Sequence, residues 1–157
     1  MKILIVSDTH RKDENLKWVI RKTKPFDMLI HLGDAEGSEY EIMKWVDKDC
    51  DLEMIMGNND FFSQLEREKE IMIGKYKVFM THGHYYYVSA GTETLKQEAR
   101  ARGAQIVLFG HTHRPLVDYD GTLYTMNPGA AGDYRRPTYG VLTIENGRAD
   151  CAAFVLE

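Results

Sequence analysis

The chain contains 157 residues, of which 43% are hydrophobic and 28% charged, and its formal net charge at pH 7 is −4. This is the composition of an ordinary folded domain, and it excludes a low-complexity or disordered chain. The negative charge, without a long cluster of lysine and arginine, argues against a surface that binds nucleic acid. We therefore expect one globular domain over residues 1–157.

Neither a membrane segment nor a disulfide framework is evident. No apolar stretch reaches the roughly 20 residues of a membrane-spanning helix. The N-terminal apolar run ends at Ser7-Asp8 and is too short for a signal peptide. Cys50 and Cys151 form no Cys-x-x-Cys motif, which indicates reduced thiols. These features predict a soluble, cytoplasmic protein.

The chain begins with a predicted strand, a polar loop and a helix. Residues 2–7 form a continuous apolar run, typical of a strand buried on both faces of a parallel sheet. Leu16, Val19 and Ile20 then recur at helical spacing, and the predicted helix ends before Pro25.

The same unit is repeated once and followed by a third strand. Residues 28–32 form the second predicted strand. The spacing of Ser38 and Glu41 predicts a capping box at the start of the second helix. Residues 52–56 form the third predicted strand, which ends in a polar loop.

The pattern changes at Glu70. Residues 71–73 and 76–80 predict two strands joined by a tight turn. A helix that contains Leu95 and Ala99 then leads to a further strand.

Strands and turns alternate in the last third of the chain. Further strands are predicted at 106–109, 123–126, 139–144 and 149–155, with a hairpin turn at Asn146-Gly147. Strand and helix units followed by a strand-rich half predict a layered α/β fold, in which two sheets form a β-sandwich flanked by helices.

Five of the predicted strands end in side chains that can bind a metal ion. In chain order these are Asp8, His10, Asp34, Asn58, His82, His111 and His113. Ligands bind at the carboxyl ends of strands in open α/β sheets, so we expect the five loops to meet at one crevice. The alternative is that these residues only cap strand ends, but their joint spacing argues against it.

The types of these seven side chains limit the metals that they can hold. Two are carboxylates, one is an amide and four are imidazoles, with no thiolate among them. This set argues against structural zinc and suits manganese, iron, nickel, cobalt or catalytic zinc. Because seven ligands are too many for one catalytic ion, we expect two divalent ions about 3.5–4 Å apart that share one carboxylate.

Five motifs occur in order along nearly the whole chain. They are Asp8-Thr9-His10, Gly33-Asp34, Gly57-Asn58-Asn59-Asp60, Thr81-His82-Gly83-His84 and Gly110-His111-Thr112-His113. In this order and spacing they resemble the calcineurin-like metallophosphoesterases, in particular the small single-domain phosphodiesterases of the YfcE/MJ0936 type. The resemblance implies an αββα fold and a metal-dependent hydrolase that acts on small phosphodiesters.

The resemblance also implies how the ligands are divided. The first ion would be held by Asp8, His10, Asp34 and His113. The second would be held by Asp34, Asn58, His82 and His111, with Asp34 bridging the two ions. The family pattern further implies that a hydroxide between the ions attacks phosphorus in line, while the metals neutralise charge on the phosphoryl oxygens.

Asn59 departs from the family pattern. Many members carry a histidine at this position, placed to assist substrate binding or to protonate the leaving oxygen. An amide cannot be a general acid near neutral pH. We therefore assign Asn59 and His84 to the catalytic site and expect either good leaving groups or another proton donor, with His84 the nearest candidate in sequence. Asn59 and Asp60 could otherwise be turn residues only.

Several neighbouring residues have an ordinary structural explanation beside a functional one. His31 is expected in the core or behind the metal ligands, and Asn127-Pro128-Gly129 is expected to brace the metal loops through its backbone. The tyrosines of residues 85–87 could line a substrate groove but are expected to pack. Arg135 and Arg136 could face substrate phosphate.

Two other functions stay open from the sequence. One is a phosphomonoesterase that uses the same ions. The other is a non-catalytic, protein-binding scaffold, as in a retromer subunit that resembles these enzymes; the intact ligand set argues against it. The family often forms homo-oligomers, but no stretch of this sequence determines the natural substrate, the metal or the oligomeric state.

Overall fold

Ten β-strands and three α-helices make up the protein, for which a computed structural model describes all residues, 1–157. In chain order the elements are β1 (Lys2–Val6), α1 (Asp13–Thr23), β2 (Met28–His31), α2 (Glu39–Trp45), β3 (Asp51–Met54), β4 (Glu68–Ile73), β5 (Tyr76–Thr81), α3 (Glu93–Ala101), β6 (Ile106–Leu108), β7 (Leu116–Tyr119), β8 (Tyr124–Asn127), β9 (Thr138–Glu145) and β10 (Arg148–Val155). A short 3-10 turn, His84–Tyr86, follows β5. None of the helices has the length and apolar composition needed to cross a membrane.

The strands form two mixed five-stranded sheets. The first sheet has the order β10-β9-β1-β2-β3, and the second has the order β4-β5-β6-β8-β7. In the first sheet β1, β2 and β3 are parallel, and in the second β5, β6 and β8 are parallel. The carboxyl ends of the parallel strands therefore lie along one edge of each sheet, where the polar loops begin.

The largest apolar cluster lies between the two sheets. Ile3 and Ile5 of β1 belong to it together with Val78 and Met80 of β5, and all four are buried. Side chains alternate across a strand, so the residues between them on β1 face the opposite way, as the burial of Leu4 in a second cluster shows. Burial on both faces explains why residues 3–6 of β1 are all apolar. Each such aliphatic side chain contributes about 1.5–3 kcal/mol.

Helices cover the outer faces of both sheets. Their buried apolar residues are Leu16, Val19 and Ile20 in α1, Ile42 in α2, and Leu95 and Ala99 in α3. Those of α1 and α2 pack with β1 and β2, and those of α3 pack with β5 and β6. The order helix, sheet, sheet, helix confirms the layered α/β fold predicted from the sequence.

The predicted capping box at Ser38 is wrong. Ser38 is the N-cap residue of α2, but its side chain makes no capping hydrogen bond, and its φ and ψ are −85° and 4°. The hydroxyl instead donates to Oδ2 of Asp13 at 2.9 Å, in the first turn of α1. Ser38 therefore joins the two helices, because its hydroxyl is directed to an acceptor in α1 and does not accept the backbone N–H bond that the local pattern predicted.

One strand was not predicted. β7 pairs antiparallel with β8 at the edge of the second sheet. Its sequence, Leu-Val-Asp-Tyr, does not alternate apolar and polar residues, and Leu116, Val117 and Tyr119 are all exposed. Its pairing partner, rather than its own pattern, makes it a strand.

Candidate metal centre

The loops that follow five strands meet where the two sheets approach each other. The close approach requires glycine at two positions. A Cβ atom at Gly110 would overlap Oγ of Ser7 and lie 2.8 Å from Oδ2 of Asp8, and one at Gly57 would overlap Oδ1 of Asp34. The glycines next to the predicted ligands thus allow the loops of different strands to come together.

The backbone of this region is strained. Five of the seven predicted ligands have positive φ angles, namely Asp8 (55°), His10 (47°), Asp34 (61°), His111 (70°) and His113 (62°). Each residue in this conformation costs about 1–3 kcal/mol and persists only where its surroundings hold it, most often at functional sites. Here the loops hold one another: Asp8 N donates to Gly33 O, and His10 N donates to Asp34 O, both at 2.9 Å.

Oδ1 of Asp8 is at the centre of the site. Three imidazole nitrogens surround it: Nε2 of His10, His82 and His113, at 3.6, 3.7 and 3.2 Å. The other oxygen, Oδ2, accepts hydrogen bonds from Ser7 Oγ at 2.6 Å and His111 N at 3.1 Å. The carboxylate is therefore oriented through one oxygen and presents the other to the histidines.

The carboxylate of Asp34 lies between two of these histidines. Its Oδ2 is 4.0 Å from Nε2 of His10 and 3.4 Å from Nε2 of His82. Nδ1 of His82 is 2.7 Å from the carbonyl oxygen of Leu32. Because a carbonyl only accepts, Nδ1 carries the proton and Nε2 offers its lone pair to the centre. On His10, Oε2 of Glu36 lies 3.2 Å from Nδ1, so this carboxylate orients the ring.

Asn58 and His111 lie together on the side of the centre nearest to His82. Oδ1 of Asn58 is 3.1 Å from Nδ1 of His111, and the rings of His82 and His111 are 5.2 Å apart. On the opposite side, Nε2 of His10 and Nε2 of His113 are 3.3 Å apart. The structure thus brings all seven predicted ligands into one region and separates His111 from His113. Their role as ligands stays a prediction.

Two buried atoms show that the residues present fit a metal ion. Oδ1 of Asp8 and Nε2 of His82 are buried and make no hydrogen bond, although three imidazole nitrogens lie 3.2, 3.6 and 3.7 Å from Oδ1. An unpaired buried polar group costs about 1–3 kcal/mol, and more when it is charged. A carboxylate oxygen and an imidazole nitrogen are both ordinary ligands of divalent transition metals. A cation would therefore satisfy both groups.

The pKa values in the site follow from the same crowding. The interaction of His10 with Asp8 raises the pKa of His10 to about 9. The same carboxylate raises the pKa of His113. Burial opposes ionisation of Asp8, but the neighbouring imidazoles of His10 and His113 hold its pKa well below the usual range. The site therefore stabilises positive charge beside Asp8.

The two residues assigned to catalysis have different surroundings. Asn59 donates from its backbone N to Oδ1 of Asp34 at 2.8 Å and from Nδ2 to Oδ2 at 3.0 Å. Its amide is therefore engaged in orienting Asp34. The His84 ring is half-buried, 5.5 Å from the ring of His82 and 5.9 Å from that of His111, and its Nδ1 has no partner. The catalytic role of both residues stays a prediction.

Asp60, which the sequence allows to be a turn residue only, joins two loops. Its Oδ2 accepts from the backbone N of Asp34 and of Gly57, and its Oδ1 accepts from the backbone N of Glu36, each at 2.7 Å. The side chain is buried. The family motif names this residue, but nothing in the local pattern shows that its three donors come from two separate loops.

The remaining features are mostly structural. His31 is buried and bonds to Thr9 Oγ1 at 2.9 Å and Gly33 N at 3.1 Å, as expected for a residue behind the ligands. Asn127 braces the loop with its side chain rather than its backbone, since Nδ2 donates to Gly110 O at 3.0 Å.

The three tyrosines of residues 85–87 do not share one environment, and neither do the two arginines, Arg135 and Arg136. Tyr86 packs on the core, as expected of the run, whereas Tyr85 and Tyr87 are exposed. Arg136, but not Arg135, lines a cavity that also contains His113.

The chain belongs to the calcineurin-like phosphoesterase superfamily, whose domain matches residues 1–147. This confirms the resemblance found in the five motifs. The chain is 27% identical over 154 residues to the probable metallophosphoesterase YsnB of Bacillus subtilis, covering 95% of this chain and 88% of that protein. It is 31% identical over 140 residues to vacuolar protein sorting-associated protein 29 of Schizosaccharomyces pombe, covering 83% and 72% of the two chains.

A solved structure reported as that of a novel archaeal phosphodiesterase has the same fold. Its TM-score against this chain is 0.79 at 24% identity, over 99% of this chain and 100% of that one. At this level of identity the likeness establishes the architecture alone.

Proposed function

We propose that this protein is a dinuclear, metal-dependent phosphodiesterase that hydrolyses small phosphodiesters. The observation that carries the proposal is the unpartnered pair formed by Oδ1 of Asp8 and Nε2 of His82, buried where the five loops meet. Buried polar atoms without partners are rare in folded proteins and often mark an ion.

The arrangement supports a division of the ligands between two ions. One ion would be held by Asp8, His10, Asp34 and His113. The other would be held by Asp34, Asn58, His82 and His111. Two compact groups of ligand atoms, one of Asp8, His10 and His113 and the other of Asp8, Asp34 and His82, support two ion positions, and the carboxylate common to both groups is that of Asp8. The place of Asp34 Oδ2 between His10 and His82 supports its role as the bridge.

Bound divalent ions would neutralise charge on the phosphoryl oxygens and supply an ionised water as nucleophile near neutral pH. The chain's own residues would position these ions and the substrate. Asn59 would hold the Asp34 carboxylate in place through its two hydrogen bonds. His84, on the wall of the site, is the nearest candidate proton donor to the leaving oxygen, but burial lowers its pKa, so little of it is protonated near neutral pH and the reaction still favours good leaving groups. The mixed oxygen and nitrogen ligands suit manganese, nickel, iron, cobalt or zinc.

Metal analysis combined with two hydrolysis assays tests the proposal. We expect about two divalent ions per chain, and faster hydrolysis of bis(p-nitrophenyl) phosphate than of p-nitrophenyl phosphate in the presence of manganese or nickel. A higher rate with the monoester would make the protein a phosphomonoesterase instead. Absence of both bound metal and hydrolysis would refute either enzymatic function.

A second candidate function is a protein-binding scaffold. The likeness that favours it is the 31% identity to vacuolar protein sorting-associated protein 29. A scaffold can also retain metal, so hydrolysis, rather than metal content, decides between the two functions. Loaded protein that hydrolyses neither ester but forms a stable complex with a partner protein would favour the scaffold.

A further inference from the structure

A groove adjoins the candidate metal centre on its Asn58 side. It has a volume of about 370 Å³ and lies between the loop that follows β3 and the 3-10 turn after β5. Its lining includes Asn58, Phe61, Arg67, His84 and Tyr85. Because Asn58 lines the groove and also contacts His111, the groove opens directly beside the candidate metal centre.

The groove exposes two aromatic rings to solvent. Phe61 is 76% exposed and Tyr85 is 52% exposed. Aromatic side chains bury 150–250 Å² each when covered, so a flat ligand in this cavity would gain apolar contact by covering both rings. Cavities of this size, lined by aromatic residues and a few polar groups, are typical of small-molecule sites.

A cation and two planar rings extend from the groove to the metal centre. The guanidinium carbon of Arg67 is 5.0 Å from the centroid of the Tyr85 ring, which is in turn 4.2 Å from the ring of His84 with an angle of 38° between the planes. An arginine in this setting can stack on a flat group or pair with an anion. The groove is therefore suited to a flat, aromatic group carried by an anionic molecule.

We propose that this groove binds a planar aromatic ester group of the substrate, such as a nucleobase carried on the phosphodiester. The proposal rests on the proposed function, because it places the phosphoryl group at the two ions. Bases stack on aromatic side chains and on arginine in many proteins that bind nucleotides. The groove would thus select nucleoside or aryl phosphodiesters over alkyl ones.

Calorimetric titration of the manganese-loaded protein with two monophosphates tests the groove without requiring turnover. Adenosine 5′-monophosphate carries a base, whereas ribose 5-phosphate offers the same phosphate and sugar without it. We expect the nucleotide to bind at least about tenfold more tightly, which corresponds to about 1.4 kcal/mol.

Two groove variants and two control variants test whether the groove causes the preference for the nucleotide. Phe61→Ala and Tyr85→Ala should reduce the preference for the nucleotide severalfold and leave binding of ribose 5-phosphate unchanged. The matched controls, Phe62→Ala and Tyr87→Ala, remove exposed aromatic rings that do not line the groove and should keep the preference.

Three results overturn the proposal: equal affinity for the two ligands, no binding of either, or a preference that survives in both Phe61→Ala and Tyr85→Ala. Hydrolysis of bis(p-nitrophenyl) phosphate is measured on the same preparations. If hydrolysis is absent but the preference is present and lost in the groove variants, the proposed catalytic function is refuted while the aromatic groove is supported.

Discussion

Replacement of Asp60 by asparagine should destabilise the protein and weaken metal binding. The Asp60 carboxylate accepts three backbone hydrogen bonds at 2.7 Å and is buried. In Asp60→Asn one of the two oxygens becomes an NH2 group, which cannot accept. Even in its better orientation, with the amide oxygen facing Asp34 and Gly57, the variant leaves the backbone N–H of Glu36 without an acceptor.

The size of this effect follows from the hydrogen bonds. Each bond to a charged group contributes about 1.5–3 kcal/mol, and an unsatisfied buried donor costs about 1–3 kcal/mol. With one bond lost and two weakened, we expect the free energy of unfolding to fall by about 2–4 kcal/mol. Metal affinity should fall about 10–100-fold, as is usual when residues behind the ligands are changed.

The free energy of unfolding is measured by urea unfolding of chelator-treated protein, monitored by tryptophan fluorescence. Metal affinity is measured by calorimetric titration with manganese. Asp120→Asn is the matched control. Asp120 also accepts backbone hydrogen bonds, from Thr122 and Leu123 at 2.9 and 2.8 Å, but it is exposed, so water can replace the lost acceptor. If Asp60→Asn destabilises the protein no more than Asp120→Asn, the bracing role of Asp60 is wrong.

The other predictions concern the bridge, the leaving group and two buried groups. Asp34→Ala should abolish hydrolysis and most metal binding, and normal turnover in this variant would refute the bridging role. Because Asn59 cannot donate a proton as an acid, aryl phosphodiesters should be cleaved at least about 100-fold faster than alkyl ones; Asn59→His should narrow the gap, and equal rates in the wild type would contradict the idea. Burial lowers the pKa of His31 to about 4, below about 6.5 in the unfolded chain, so the unfolded state takes up the extra proton as the pH falls between these values. Chelator-treated wild type should therefore lose about 2 kcal/mol more stability between pH 7 and pH 5 than His31→Gln. If the free energies of unfolding of the two proteins, measured in urea, fall in parallel with pH, this role of His31 is wrong. Burial raises the pKa of the Cys151 thiol to about 12, so it should resist alkylation by iodoacetamide at pH 8 unless urea is added; rapid labelling of the native protein at Cys151 would contradict its burial.

Most of the fold could be predicted because local patterns and tertiary burial agree. The stripe of Leu16, Val19 and Ile20 specifies both the helical period and the buried face of α1. The apolar run of β1 is specified in the same way, since both of its faces are covered. Prediction failed at Ser38 and at β7, where a partner distant in sequence determines the hydrogen bonds.

The sequence by itself determined the family, the layered fold and the seven candidate ligands, because each ligand follows a strand whose apolar pattern is local. Only the tertiary structure decided which of these side chains face each other: His10 beside His113, Asn58 beside His111, and Asp34 between His10 and His82. It also decided that Asn59 orients Asp34 and that Asp60 joins two loops. The physical reason is that these contacts connect loops from different strands, and their distances depend on how the two sheets pack rather than on any spacing along the chain.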